Sequence, residues 1–280
     1  VTLDASCQQT AEKLVVLGLD KYRGDIDNAA VVVVDVPSAE IVARVGSASF
    51  FETPGGGQVD ACRAYRSPGS ALKPFTYALA MEKNRLYASE ILLDDSLDYG
   101  IYDPGNYDGM YNGLISASDA LRHSLNVPAV MVLERVGAEA LEDLLTRAGV
   151  SSLKRDATDH GLGLTLGNCG VTLEDLATAY CMLANLGEYR PLKDRTCAPT
   201  DAQAAEPAPV RCLARGTCLK IFEMLEQALP EDYENNLVRG TGVSWRACYK
   251  TGTSTGQRDA WAFVFDSRYL VGVWMGNNDG

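Results

Sequence analysis

The sequence predicts an α/β domain of the α+β type: a mostly antiparallel sheet between helices, with an all-helical part beside it. Three observations predict it. β-Type runs with short connections stand at both ends of the chain, at 30–45 and 246–276. The stretch between them reads mainly with helical period. No internal repeat or low-complexity tract interrupts it, so a solenoid is excluded. One sheet assembled from both termini and covered by helices buries both patterns in a single core.

Residues 1–25 read as a linker and first helix. Cys7, Ala11, Leu14 and Val15 share a helical face, and Gly18 and Gly24 mark its end. Residues 26–280 read as one domain. Ala30–Val36 and Glu40–Val45 are β-rich and flank Pro37-Ser38-Ala39, a hairpin signal. Residues 46–68 hold three consecutive glycines and read as loop. A helix starts near Ser70 and runs toward Lys83. Residues 94–113, rich in Asp, Tyr, Gly and Asn, read as an ordered loop. Helical patterns follow at 116–135, 138–148, 172–186 and 217–228, with a proline-bearing surface insertion at 190–211. Arg246–Thr251, Ala260–Asp266 and Tyr269–Gly276 then form an antiparallel meander.

Composition narrows the function. The 280 residues are 46% hydrophobic and 22% charged, ordinary for a globular domain, and the net charge is −12. An acidic chain without clustered Lys and Arg argues against a nucleic-acid partner or a polybasic membrane surface. No run approaches the roughly 20 apolar residues of a membrane span. No leader is visible either, so an export signal or anchor is expected outside these residues. The eight cysteines show no C-x-x-C spacing, and His123 and His160 are the only histidines. A metal site is not expected. The cysteines read either as isolated buried thiols or as disulfide partners, with Cys197, Cys212 and Cys218 the best candidates for bridging.

Three short patterns carry chemistry. Ser70-Ala71-Leu72-Lys73 follows the chain break Pro68-Gly69. Serine and lysine at i and i+3 share one helix face. A serine hydroxyl needs a base to become a nucleophile, and a partly buried lysine with a lowered pKa can be that base. The helix start adds free N–H groups where an oxyanion would form. By itself the pattern is weak: Ser151-Ser152-Leu153-Lys154 has the same spacing but no partner motifs. Ser124-Leu125-Asn126 sits in a helical stretch interrupted by Pro128; its hydroxyl can relay a proton and its amide can orient the lysine and a substrate carbonyl. Lys250-Thr251-Gly252-Thr253-Ser254 ends a strand run. Gly252 permits close backbone approach, and Lys250 with the hydroxyls of Thr251 and Thr253 makes a cationic, donor-rich wall for a carboxylate.

In this order S-x-x-K, S-x-N and K-T-G are the elements shared by penicillin-binding proteins and class A β-lactamases. Beyond them the chain resembles the transpeptidase domain of the bifunctional class A penicillin-binding proteins over nearly its whole length. Arg66-Ser67-Pro68-Gly69-Ser70 through Lys73-Pro74-Phe75 matches the nucleophile motif. Pro104-Gly105-Asn106-Tyr107-Asp108, followed by Tyr111-Asn112-Gly113, matches a loop typical of them, and Ala120–Pro128 matches the second motif. Thr2-Leu3-Asp4, Gln8 and Ala11 resemble the linker after their glycosyltransferase domain. Gly256–Ala262 is similar to the C-type subgroup, penicillin-binding protein one-C.

The resemblance implies the penicillin-binding transpeptidase and serine β-lactamase-like fold, no cofactor, and a D,D-transpeptidase. Ser70 would attack the penultimate D-Ala carbonyl of a peptidoglycan stem peptide, with Lys73 as general base. Ser124 and Lys250 would pass a proton to the leaving amine. Asn126 would hold Lys73 and the substrate amide. The backbone N–H groups of Ser70 and Thr253 would form the oxyanion hole, and Thr251 and Thr253 would hold the substrate carboxylate. β-Lactams would trap Ser70, although the C-type subgroup implies weak binding of many penicillins. The implied partners are stem peptides ending in D-Ala-D-Ala, β-lactam antibiotics and a glycosyltransferase domain of the full-length protein. The implied place is the outer face of the cytoplasmic membrane, with the full-length protein anchored there. The cysteine count and the 190–211 insertion depart from the family.

Two rival readings share the acylation apparatus. A class A β-lactamase would need a Glu in E-x-x-L-N, which Glu174-Asp175-Leu176-Ala177 does not fit, and S-D-N where this chain has S-L-N. A β-lactam sensor domain would acylate once and signal; what lies upstream discriminates it. Trp245, Trp261 and Trp274 read as sheet packing, and His123 as structural. Tyr107 and Tyr111 either line the cleft or pack the loop, and Arg258 either meets substrate or is a surface residue.

Overall fold

The computed structural model describes residues 1–22, 24–52, 56–96, 104–106, 109–155, 160–194, 208–228 and 246–278. In chain order these form α1 (Ala5–Asp20), β1 (Asn28–Asp35), β2 (Glu40–Val45), a 3-10 turn at Gly69–Leu72 running straight into α2 (Lys73–Glu82), β3 (Ile91–Asp94), β4 (Gly113–Ser116), α3 (Ala117–Arg122), α4 (Asn126–Val136), α5 (Ala138–Arg147), 3-10 turns at Ser152–Arg155 and Gly161–Leu166, α6 (Leu173–Ala184), β5 (Glu188–Tyr189), β6 (Val210–Arg211), α7 (Arg215–Leu225), β7 (Glu226–Ala228), β8 (Arg246–Thr253), β9 (Asp259–Phe265) and β10 (Tyr269–Gly276).

Six strands make one sheet in the order β2-β1-β10-β9-β8-β7, every pair antiparallel. The predicted hairpin and meander are both present, and β1 joins them by pairing with β10, Val31 opposite Val273. β1 is buried along its whole length, which is why it reads as an unbroken apolar run rather than an alternation. Val31 and Val33 face α1, packing with Ala11, Val15, Ala43 and Val45. Ala30, Val32 and Val34 face the main core with α2, α6 and α7. There Tyr180 of α6 stacks on Phe263 of β9, ring centroids 4.3 Å apart, and meets Phe75 of α2 edge-on at 5.1 Å.

Several boundaries differ from the periodicity. In α1 Ala11 and Val15 are buried but Leu14 is exposed, and Gly18 lies inside the helix rather than ending it. The helical stretch at 116–135 is two helices, because Ser124 takes φ 60 between them. The last helical pattern stops at Leu225; residues 226–228 leave it as an edge strand on β8. The insertion at 190–211 springs from a two-residue pairing, Glu188 opposite Arg211 and Tyr189 opposite Val210; residues 195–207 lie outside the described set. Cys212 and Cys218, two of the three bridging candidates, are free thiols; Cys212 Sγ donates to the Arg147 carbonyl at 3.3 Å. Cys197 lies outside the described residues. No helix of the described residues is long and apolar enough to cross a membrane.

Candidate active site

The 3-10 turn places Ser70 and Lys73 on one face, since side chains at i and i+3 eclipse at three residues per turn. The turn is clamped through backbone contacts that only glycine allows. Gly69 has φ 53, and a Cβ there would stand 2.1 Å from the Thr253 carbonyl oxygen. A Cβ on Gly252 would stand 2.3 Å from the Pro68 carbonyl oxygen, and one on Gly167 2.2 Å from the Gly69 nitrogen. The end of β8, the nucleophile turn and the loop after Leu166 are therefore in backbone contact. Side chains fasten the same turn. Ser67 Oγ donates to the Gly167 carbonyl at 2.6 Å, Trp261 Nε1 to the Ser67 carbonyl at 2.8 Å, and Tyr180 OH to the Ala71 carbonyl at 2.7 Å.

Ser124 occupies the bend between α3 and α4 in the left-handed region, an uncommon conformation for a residue with a Cβ. That conformation lets two of its atoms face two different lysines. Its carbonyl oxygen accepts from Lys73 Nζ, and its Oγ accepts from Lys250 Nζ at 2.7 Å. Asn126 opens α4 and turns Oδ1 to Lys73 Nζ at 2.7 Å, while its Nδ2 donates to the Gly105 carbonyl at 2.8 Å. Lys250 also donates to the Thr251 carbonyl at 2.6 Å. By strand alternation Lys250 and Gly252 face the interior, whereas Thr251 and Thr253 are exposed. β7 pairs only with Arg246–Cys248; among the described residues no strand covers that edge of β8 from Tyr249 to Thr253.

Both lysines are out of water: Lys73 is 0% and Lys250 3% exposed. Burial first, then the neighbouring charge of Lys250, push the Lys73 amine well below the ordinary lysine range, and Asp94 opposes this. Burial lowers the Lys250 amine to about 7. A neutral Lys73 has two N–H bonds, and two acceptors, the Ser124 carbonyl and Asn126 Oδ1, take them. The remaining position on nitrogen is a lone pair, which is what a general base needs. Lys73 Nζ bonds the Ser124 carbonyl and Asn126 Oδ1 rather than Ser70 Oγ; a base and its nucleophile commonly close to hydrogen-bond distance only with substrate in place.

Other candidates fall outside this cluster. His123 is exposed and ends α3. Ser151 of the look-alike pattern bonds Asp175 at the start of α6. Glu174 is engaged by Arg44 at 2.5 Å and Arg63 at 3.1 Å. Trp261 and Trp274 are buried in the sheet, as their strand positions predicted; Trp245 and Tyr107 lie outside the described residues. Tyr111 is partly exposed, and Arg258 is exposed on the connection from β8 to β9. Sequence reasoning missed Asp94, Asn112 and Gly167. Asn106 and Asn112 at least sat in the recognised loop motif, but Asp94 ends a short apolar strand and carries no spacing signal.

Residues 29–259 match a family model described as the penicillin binding protein transpeptidase domain. The chain is 34% identical over 282 residues to penicillin-binding protein 1C of Escherichia coli (strain K12), covering 100% of this chain and 35% of that protein. It is 30% identical over 291 residues to penicillin-binding protein 1F of Bacillus subtilis (strain 168), covering 99% of this chain and 39% of that one. The chain thus spans between a third and two fifths of the length of these curated relatives. The structure of PonA1 from Mycobacterium tuberculosis in complex with penicillin V superposes with a TM-score of 0.80 at 22% identity, covering 99% of this chain and 76% of that one. The transpeptidase domain of penicillin-binding protein 3 from Burkholderia pseudomallei superposes with a TM-score of 0.78 at 18% identity, covering 99% of this chain and 88% of that one.

Proposed function

Because the chain belongs to the penicillin-binding protein transpeptidase domain family, we propose that it is a serine D,D-transpeptidase that cross-links peptidoglycan stem peptides through an acyl-enzyme on Ser70. The observation that carries this reading is the meeting of two buried lysines, from α2 and β8, on Ser124 beside the nucleophile turn.

The proposed steps assign the roles that the family resemblance implies to the groups gathered here. Lys73, whose hold on its own proton burial and the Lys250 charge weaken, takes the Ser70 hydroxyl proton as Oγ attacks the carbonyl of the penultimate D-Ala. The Ser70 and Thr253 N–H groups receive the oxyanion; Thr253 is brought there by the Gly69 contact. Lys250 donates to Ser124 Oγ, so the Ser124 proton is directed away from Lys250, toward the amine of the departing D-Ala, and Ser124 regains a proton from Lys250 as its own leaves. Asn126 keeps Lys73 in place and offers its remaining N–H to the substrate amide. The exposed hydroxyls of Thr251 and Thr253 take the terminal carboxylate, with Lys250 supplying positive charge. An extended peptide would lie along the uncovered edge of β8 at Tyr249–Thr253. An amine from a neighbouring stem then attacks the ester carbonyl, its proton passing through Ser124 to Lys250, while Lys73 returns its proton to Ser70 Oγ, which leaves as the hydroxyl and completes the cross-link.

Residues 26–280 would constitute the transpeptidase unit, with residues 1–25 leading into it. The full-length protein would add a glycosyltransferase domain and an anchor, placing this site at the outer face of the cytoplasmic membrane. β-Lactams, as mimics of D-Ala-D-Ala, would acylate Ser70. Glu174 is engaged by Arg44 and Arg63, and its sequence context is not E-x-x-L-N, so neither supports it as the hydrolytic base of a class A β-lactamase.

The test is intact-protein mass spectrometry after incubation with several β-lactams and a D-Ala-D-Ala thioester, comparing wild type with Ser70→Ala. A covalent adduct on the wild type alone is expected. Rapid loss of the adduct with accumulating hydrolysed drug would replace the reading by a β-lactamase. No adduct from any of these acyl donors would overturn it.

A further inference from the structure

Asp94 ends β3 with a wholly buried carboxylate. Its oxygens accept from Asn106 Nδ2 at 2.8 and 3.0 Å, from the Asn112 backbone N–H at 2.9 Å and from Asn112 Nδ2 at 2.8 Å. Asn106 Oδ1 in turn accepts the backbone N–H of Asn126 at 2.8 Å, and the carbonyl of Gly105, next along the loop, takes Asn126 Nδ2. Asn126 is thus gripped at backbone and side chain by the loop that Asp94 organises, and its free oxygen meets Lys73.

We propose that Asp94 is a positioning residue for this site, setting the Lys73 amine through the relay Asp94, Asn106, Asn126. The inference rests on the reading of Ser70 and Lys73 given under Proposed function. Three arguments carry it. Each link is a hydrogen bond between groups with one workable orientation: Asn106 must turn its amide nitrogen to the carboxylate, so its oxygen is left for Asn126, and Asn126 must turn its nitrogen to a carbonyl, so its oxygen is left for Lys73. The three donor nitrogens on Asp94 belong to neutral amides, so among the described residues no salt bridge cancels its charge, and its field persists in a low-dielectric interior. Among the described residues, Lys73 from α2 and Lys250 from β8 are the cations here, the charges of Asp94 and of Arg135 from α4 act on Tyr77 of α2, and Asp94 is the negative charge acting on Lys73. Its charge works against the downward push on Lys73, limiting how far the base is weakened. A base lowered too far takes protons poorly, so this opposition matters for rate.

The test uses the full chain with 13Cε-labelled lysine, the Lys73 resonance being assigned by its loss in Lys73→Arg. Asp94→Asn, which keeps size and removes charge, is expected to move the Lys73 titration to lower pH. It is also expected to lower the second-order acylation constant for a chromogenic β-lactam by about 100-fold, the loss produced by a catalytic group misplaced by about an ångström. Asn106→Ala, which breaks the relay and leaves the charge, should lose acylation to a similar extent with its melting temperature near that of wild type. A Lys73 titration unchanged in Asp94→Asn would overturn the proposal. Should that variant not fold, Asn106→Ala decides: acylation within about twofold of wild type overturns the proposal, and a large loss with an intact fold upholds it. If wild type itself is not acylated, the reading of the site fails, and the Lys73 titration still judges Asp94.

Discussion

Lys250 Nζ donates to Ser124 Oγ at 2.7 Å across a sequence separation of 126 residues, the lysine buried and the serine half-buried. The contact exists because Ser124 bends the chain with φ 60, turning its hydroxyl toward β8 and its carbonyl toward α2. An ammonium bonded to a hydroxyl leaves that hydroxyl's own proton for transfer, so the pair is a proton donor whose strength depends on the Lys250 charge.

That dependence is measurable. With Lys250 titrating at about 7, the second-order acylation constant, which reports the free enzyme, should fall as pH rises through neutrality and Lys250 loses its proton. Lys250→Arg keeps the charge at all these pH values and should remove the descending limb, at a lower maximum because a guanidinium fits the site poorly. Lys250→Ala should lower acylation across the whole range. A limb that persists in Lys250→Arg would assign it to another group.

Stability should carry the same signature. Lys250 and Lys73 both have folded values below the ordinary lysine value of about 10.4. Below pH 7 Lys250 is charged in both states, and the cost of burying that charge is fully felt. Between 7 and about 10.4 the folded protein has released the proton and the unfolded chain has not, so the unfolded state binds more protons and stability rises with pH. Denaturant unfolding should show this rise, amounting to a few kcal/mol at most, and Lys250→Met should flatten part of it. Equal slopes in the two proteins would contradict the burial argument.

Gly167→Ala should damage the site from the far side of the nucleophile turn. Its φ of 84 disfavours a side chain, and the added Cβ would stand 2.2 Å from the Gly69 nitrogen. Strain and overpacking together predict a loss of about 2–4 kcal/mol, with acylation reduced because Ser70 follows Gly69. Calorimetry and adduct formation check the two effects; a variant with wild-type melting temperature and acylation would show that the turn is not clamped there.

Thr172→Ala is the contrasting case. Thr172 caps α6, its Oγ1 accepting from the Asp175 N–H at 3.0 Å, and it touches none of the reacting groups. Loss of the cap should cost about 1 kcal/mol and leave the acylation constant unchanged.

The α+β class and the likeness to penicillin-binding protein 1C were legible in the sequence and are borne out. β1, β2 and β8–β10 were readable because β-branched runs and short turns are local signals. An interruption near Pro128 was readable, but the left-handed conformation of Ser124 was not, because no residue type demands a left-handed serine; it turns two of its atoms to two lysines. Gly252 could be marked as a close-approach point, but its counterpart Gly167 could not, since nothing local says that another backbone will pass within van der Waals distance.

By itself the sequence determined the inventory: a serine and a lysine three apart at a helix start, a serine and an asparagine at a helical break, a lysine, two threonines and a glycine ending a strand. Such features depend on neighbours within a few positions, where spacing dictates geometry. Only the tertiary structure decided that Lys73 and Lys250 share Ser124, that both lose their water, and that Asp94 is a buried carboxylate whose charge acts on Lys73. Those facts depend on how the packed core brings α2, the bend before α4, β3 and β8 together. Charge and proton affinity follow from that shared environment, which no single segment contains.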